Sequence, residues 1–178
     1  MSYSPKATHW LAFLAGIVLS PVASTCEGEP WISYQVRATQ VASLQPAERI
    51  EIDLQGCVIS EYAEFDRRVG RYTRQLTTTE LRTLQTALDA APLEAVTGAI
   101  EEPITGRADQ LWTISHSDAY SLTLYQNGEG QRLDWLTEEV DHPAVAARSA
   151  IVSLKGLIDV LREFAADPFK NAVDEVSR

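Results

Sequence analysis

The chain has 178 residues, with 25 acidic against 15 basic side chains and 45% apolar residues. That composition fits one globular domain and excludes a disordered, collagen-like or coiled-coil chain. A net charge of −10 argues against a nucleic-acid binder, because neutralising phosphates needs clustered Lys and Arg. The two cysteines form no CxxC pair and no Cys/His cluster, so zinc and redox chemistry lack ligands.

At the N-terminus, Met1 to Thr8 carries only Lys6, and the apolar run Trp10 to Leu19 is too short to span a bilayer but suits a signal-peptide core. Val22 and Ser24 are small residues at the −3 and −1 positions of a cleavage after Ser24, with Pro21 ending the core. The expectation is export to the bacterial periplasm or beyond, with no membrane span in the mature chain. A competing reading makes Cys26 a lipidated first residue, although Ala23-Ser24-Thr25 lacks the aliphatic and small residues such a site usually shows. If cleavage follows Ser24, Cys26 and Cys57 are an even pair in an oxidising compartment and a disulfide is expected. Removing residues 1–24 deletes Lys6 and no acid, leaving 14 basic minus 25 acidic, or −11.

Along the mature chain, Ile32, Tyr34 and Val36 alternate with polar residues, as do Ile50, Ile52 and Leu54; both read as half-buried strands, the second ended by Gly56-Cys57. Arg71 to Leu76 reads as a further short strand after Gly70. Thr77-Thr78-Thr79-Glu80 fits a capping box, with Leu76 and Leu81 as hydrophobic staple, and opens a helix carrying Leu81, Leu84 and Leu88 until Pro92. Thr97 to Ala108 reads as an irregular connection. Three strands follow at Leu111 to Ser115, Tyr120 to Gln126 and Gln131 to Leu136, the last two joined by a tight turn at Asn127-Gly128. A long helix is expected over about Asp141 to Asp167, with Pro143 in its first turn and a core stripe of Ala147, Ile151, Leu154, Ile158 and Leu161. Arg148, Lys155 and Arg162 recur every seven residues on another face.

These elements predict an α+β fold: an antiparallel sheet of about five to seven short strands with two helices on one face, arranged as two β-β-α-like units or as one sheet without internal symmetry. The domain plan is a signal peptide at 1–24, one α+β domain over 25–167 and a flexible tail over 168–178.

No residue set marks a catalytic site, a cofactor or a metal. In His116-Ser117-Asp118, a strand would point His116 and Asp118 one way and Ser117 the other, so the three read as a polar turn rather than a triad. His142, beside Pro143, reads as a helix cap. Asp134, Glu138, Glu139 and Asp141 lack calcium-loop spacing and suit a helix N-terminus. Trp31, Trp112 and Trp135 read as core or sheet-covering residues. The one concentration of positive charge is Arg67, Arg68, Arg71 and Arg74, interleaved with Phe65 and Tyr72. Arg67, Arg68, Arg71, Tyr72 and Arg74 are the candidate partner-binding residues, since arginine forks grip carboxylates or phosphates; the alternative is a solvated hairpin answering Glu61, Glu64 and Asp66.

Gly56-Cys57 with Tyr62, then Gly70-Arg71-Tyr72, Thr79-Glu80-Leu81 with Leu84, Asp109 and Pro143 together resemble small bacterial secreted proteins of unknown function, over roughly Ile50 to Phe164. Those proteins carry a second cysteine and a proline before the tyrosine, where this chain has Ser60 and Glu61. The resemblance implies an α+β fold and a bacterial envelope home, and brings no activity.

The functional expectation is an exported, non-enzymatic binding protein, an inhibitor or immunity factor against a basic cell-wall enzyme or toxin, since an acidic field steers a basic partner. Two alternatives are a small secreted hydrolase built on converged acids or His116, and an envelope assembly accessory or lipoprotein docking through Arg67 to Arg74.

Overall fold

The alternations at Ile32, Tyr34, Val36 and at Ile50, Ile52 become neighbouring strands whose apolar residues share one face. The computed structural model describes residues 26, 28–38, 46–63, 69–103 and 118–165. The expected signal peptide, the strand expected at Leu111 to Ser115, His116, Ser117, Trp112, Arg67, Arg68 and the expected C-terminal tail lie outside the described residues.

The strands are β1 (Pro30–Ala38), β2 (Glu48–Asp53), β3 (Cys57–Tyr62), β4 (Gly70–Gln75), β5 (Asp118–Gln126) and β6 (Glu129–Leu136). They form one antiparallel sheet in the order β4-β3-β2-β1-β5-β6. The chain meanders outward from β1 to β4, runs through two helices, and returns to lay β5 beside β1. The fold is therefore α+β, as the order of elements predicts.

Cross-strand partners share a face. The register sets Tyr34 opposite Ile50 and Leu122, Ile32 opposite Ile52 and Leu124, and Tyr120 opposite Trp135. These side chains meet Leu84 and Leu88 of α1 (Thr78–Ala90), Leu93 and Val96 of α2 (Leu93–Glu101), and Ile151, Leu154, Leu157, Ile158 and Leu161 of α5 (Ser149–Phe164) in one core. The opposite face carries polar residues such as Gln35, Glu51, Glu61, Thr123 and Arg132. Among the described residues, no helix is long and apolar enough to cross a membrane.

The capping box forms as its residues predict. The Thr77 hydroxyl accepts from the Glu80 N–H at 3.2 Å, and Glu80 accepts from the Thr77 N–H at 2.7 Å. The Asn127-Gly128 turn also forms; both residues have positive φ, 53° and 81°, the type I′ pattern that matches the twist of a hairpin.

Several boundaries differ from expectation. Cys57 to Tyr62 is a strand rather than the end of one: the turn at Leu54-Gln55-Gly56 reverses the chain, so Leu54 leaves the sheet and is 56% exposed. Asp53 Oδ1 holds that turn by accepting from the N–H groups of Gln55 at 2.9 Å and Cys57 at 2.8 Å. Gly56 takes φ 79° there, and a Cβ would meet Leu81 at 2.9 Å. Thr97 to Glu101, expected to be irregular, belongs to α2, because Gly98 sits on an open side where a missing side chain leaves no gap. The long helix expected over Asp141 to Asp167 is three: α3 (Thr137–Asp141), α4 (Pro143–Ala146) and α5. His142 ends α3 and caps α4, its Nδ1 accepting from the Ala144 N–H at 3.2 Å.

Cys26 and Cys57 are joined as a disulfide, with Cα atoms 5.5 Å apart. The bond ties the segment entering β1 to the start of β3, beside the Asp53 turn. A disulfide is compatible with an oxidising, exported location.

Candidate functional site

The arginine segment divides across the two faces of β4. Arg71 lies opposite Glu61 and Arg74 opposite Val58, so Arg74 points to the helix side and Arg71 to the open side. Arg74 pairs with Glu80, binding the edge strand to the α1 capping box. Burial alone would raise the Glu80 carboxyl, but hydrogen bonds from the Thr77 N–H, Arg74 and the Thr77 hydroxyl outweigh it and hold it below the usual carboxylate range. Arg71 joins a ladder on the open face: its Nε lies 3.4 Å from Glu61, Glu61 is 3.4 Å from Arg49, and Arg49 is 2.5 Å from Glu51. Tyr72 packs on Tyr62 at 6.3 Å between centroids and donates to the Val69 carbonyl at 2.9 Å. Arg71, Arg74 and Tyr72 therefore present no single cationic surface. Arg71 does line a 370 Å³ recess with Arg49, Glu61 and Tyr62 at the open-face end of the sheet.

The heptad-spaced cations of the last helical segment each reach a different element. Arg148 donates to the Ala99 and Glu102 carbonyls, the latter at 2.9 Å, and so caps the C-terminus of α2. Lys155 pairs with Asp141 of α3 at 2.6 Å. Arg162 donates through Nε and Nη2 to the same oxygen of Glu48, at 3.1 and 3.0 Å. Glu48 is only 8% exposed, so its charge sits under the guanidinium, which also lies 5.6 Å from the centroid of the Tyr34 ring.

Arg162 also lines a cleft of 280 Å³ between the sheet and α3 and α5. Tyr34, Tyr120 and Trp135 stand side by side from β1, β5 and β6: Tyr120 and Trp135 are stacked at 5.4 Å and 7°, and Tyr34 and Tyr120 lie 6.5 Å apart. Val140 and Ile158 complete the apolar wall, and Asp141, Lys155, Asp159 and Arg162 ring the opening. The Tyr34 hydroxyl is buried and has no hydrogen-bond partner among the described residues. Burial raises its pKa above the ordinary phenol value, Arg162 opposes that shift, and Glu48, Tyr120 and Asp118 reinforce it. Tyr34 therefore stays a neutral donor.

The acids expected in a loop before the long helix lie instead in β6 (Asp134) and in α3 (Glu138, Glu139 and Asp141), and they do not converge. Glu139 accepts from the Leu136 N–H at 2.6 Å, Asp141 binds Lys155, and Asp134 binds Arg132. Among the described residues no group of His, Cys, Asp or Glu is gathered to hold a metal ion. Trp135 is a core residue at 3% exposure and Trp31 is half-buried. Of the cleft residues, the sequence marks Tyr34 and Tyr120 as strand residues, Asp141 as one of an acidic group, Lys155, Ile158 and Arg162 by their helical spacing and Trp135 as core. That they meet in one cleft, from positions as far apart as Tyr34 and Arg162, has no local signal.

No protein-family model matches the chain, and no curated protein matches it.

Proposed function

We propose that the protein is an exported, non-enzymatic binding protein whose partner is a basic protein, acting as an inhibitor or immunity factor against a basic cell-wall enzyme or toxin. The observation that carries this reading is how the charges are distributed. Arg49, Arg71, Arg74, Arg132, Arg148, Lys155 and Arg162 each lie against a carboxylate. Acids such as Asp89, Glu94 and Glu101 are exposed along the end of α1 and on α2 without a cationic partner among the described residues, in a chain whose net charge is −10. Such a field raises the encounter rate with a positively charged protein and is screened by salt. The disulfide supports export, and it also competes with lipidation, which would need the Cys26 sulfur for a thioether.

Affinity capture from an envelope extract tests the proposal. The immobilised mature chain is expected to retain a basic protein at low salt and release it at high salt. A low-salt capture that returns no basic protein would overturn it.

A further inference from the structure

We infer that the cleft between the sheet and helices α3 and α5 is a binding site for a neutral, polyhydroxylated ring the size of one monosaccharide. Its 280 Å³ lies just below the range of pockets that hold drug-sized ligands, so it suits a single small ring. Charges of both signs line it: Asp141 is paired with Lys155, Arg162 with the neighbouring Glu48, and Asp159 stands beside them. A lysine side chain of a basic partner would meet two cations there, and a simple anion would meet two carboxylates. Neither ion meets only opposite charge, which also separates this cleft from the acidic surface proposed above for a basic protein.

The cleft instead offers donors and acceptors in alternation. Arg162 uses Nε and Nη2 on Glu48 and keeps Nη1, while Lys155 has ammonium protons beyond the one directed at Asp141. Asp159 is an exposed carboxylate with no partner among the described residues. The Tyr34 hydroxyl is buried without a partner among the described residues, and the Arg162 guanidinium, on a side chain 45% exposed, lies over the Tyr34 ring. A ligand hydroxyl both donates and accepts, so a ring bearing several can answer Tyr34, Arg162 and Lys155 as acceptor and Asp159 as donor at once. The apolar edges of such a ring would lie against Tyr120, Trp135, Val140 and Ile158.

Calorimetric titration of the full chain with glucose, N-acetylglucosamine and ribose tests the site, with sodium acetate and methylammonium chloride as charged probes. At least one sugar is expected to bind saturably and more tightly than either ion. Tyr34→Phe keeps the ring and removes only the hydroxyl, so it is expected to fold as well as the parent while weakening sugar binding about tenfold. Asp159→Asn, at the exposed rim, is expected to weaken it about fivefold. The inference is overturned if none of the three sugars binds at about 50 mM, well into the range where a weak pocket would saturate. It is equally overturned if acetate or methylammonium binds more tightly, or if folded Tyr34→Phe binds sugar as the parent does.

Discussion

Reducing the Cys26–Cys57 bond should cost the protein a large part of its stability. The bond closes a loop with a sequence separation of 31 residues. In the chain-entropy description, a loop of that length restrains the unfolded chain by about 12 cal/mol/K, which is about 3.7 kcal/mol at 25 °C. For a domain of this size each kcal/mol moves the melting midpoint by about 2–4 °C, so reduction should lower it by about 7–15 °C. The native contacts local to the bond survive reduction: the Asp53 turn and the β2–β3 pairing do not depend on the sulfurs. The loss should therefore appear as a lower urea midpoint, with a somewhat steeper slope because the unfolded chain, freed of its cross-link, exposes more surface. The assay compares oxidised and reduced wild-type protein at pH 7, since reduction keeps both sulfurs in place and leaves the packing of buried Cys57 intact. A double Cys26→Ala/Cys57→Ala variant should lose slightly more, because it also gives up that packing. Oxidised and reduced proteins that unfold within about 0.5 kcal/mol of each other would refute the loop argument, whose chain-entropy estimate is several times larger.

Four further outcomes follow from individual contacts. Thr77→Ala should cost about 1 kcal/mol at pH 7 in urea unfolding by removing the N-cap of α1. Because Glu80 is held below the usual carboxylate range, its contribution is complete above its unfolded pKa of about 4.3 and is lost as pH falls. The stability profile of Glu80→Gln should thus be flatter than the parent's below about pH 5; parallel profiles would contradict the assignment. At the other extreme, the raised pKa of Tyr34 means its neutral form is the folded one, so stability is intact below about pH 10 and falls as pH rises beyond it, by up to about 1.4 kcal/mol per pH unit. Tyr34→Phe should remove that part of the alkaline slope, and an unchanged slope would count against it. Finally, Arg162→Met leaves Glu48 buried and unpaired. Breaking a fully buried pair costs about 3–5 kcal/mol, and the half-exposed position of Arg162 lets water return, so about 2 kcal/mol is expected by chemical denaturation. A cost under about 0.5 kcal/mol, typical of a surface pair, would show the pair to be solvated.

Local chemistry made part of this structure legible in the sequence. The capping box and the Asn127-Gly128 turn are decided by neighbouring residues, and both form as their residue types require. Strand β3 was hidden because its inward residues are Val58, Ser60 and Tyr62: the buried serine breaks the apolar alternation that marks β1 and β2. The break before α5 has no glycine or proline. Its cause is tertiary, since Arg148 adopts an extended backbone and its guanidinium is held on the carbonyls of α2, nearly fifty residues earlier in the chain. The heptad of Arg148, Lys155 and Arg162 was visible as a pattern, but its partners Ala99, Asp141 and Glu48 were not, and neither was the cleft. Its walls are brought together by the return of β5 beside β1, and Arg162 is held there by an ion pair to a residue 114 positions earlier.

Recruitment of a basic partner by an acidic surface, as proposed, would show first in the association rate. With the captured basic protein as analyte, the rate constant should fall at least about tenfold as salt rises from about 20 to 300 mM. In Glu94→Gln/Glu101→Gln the low-salt rate should already be reduced, and the two proteins should converge at high salt. A rate constant that is independent of salt, or unaffected by removing those two charges, would contradict the account.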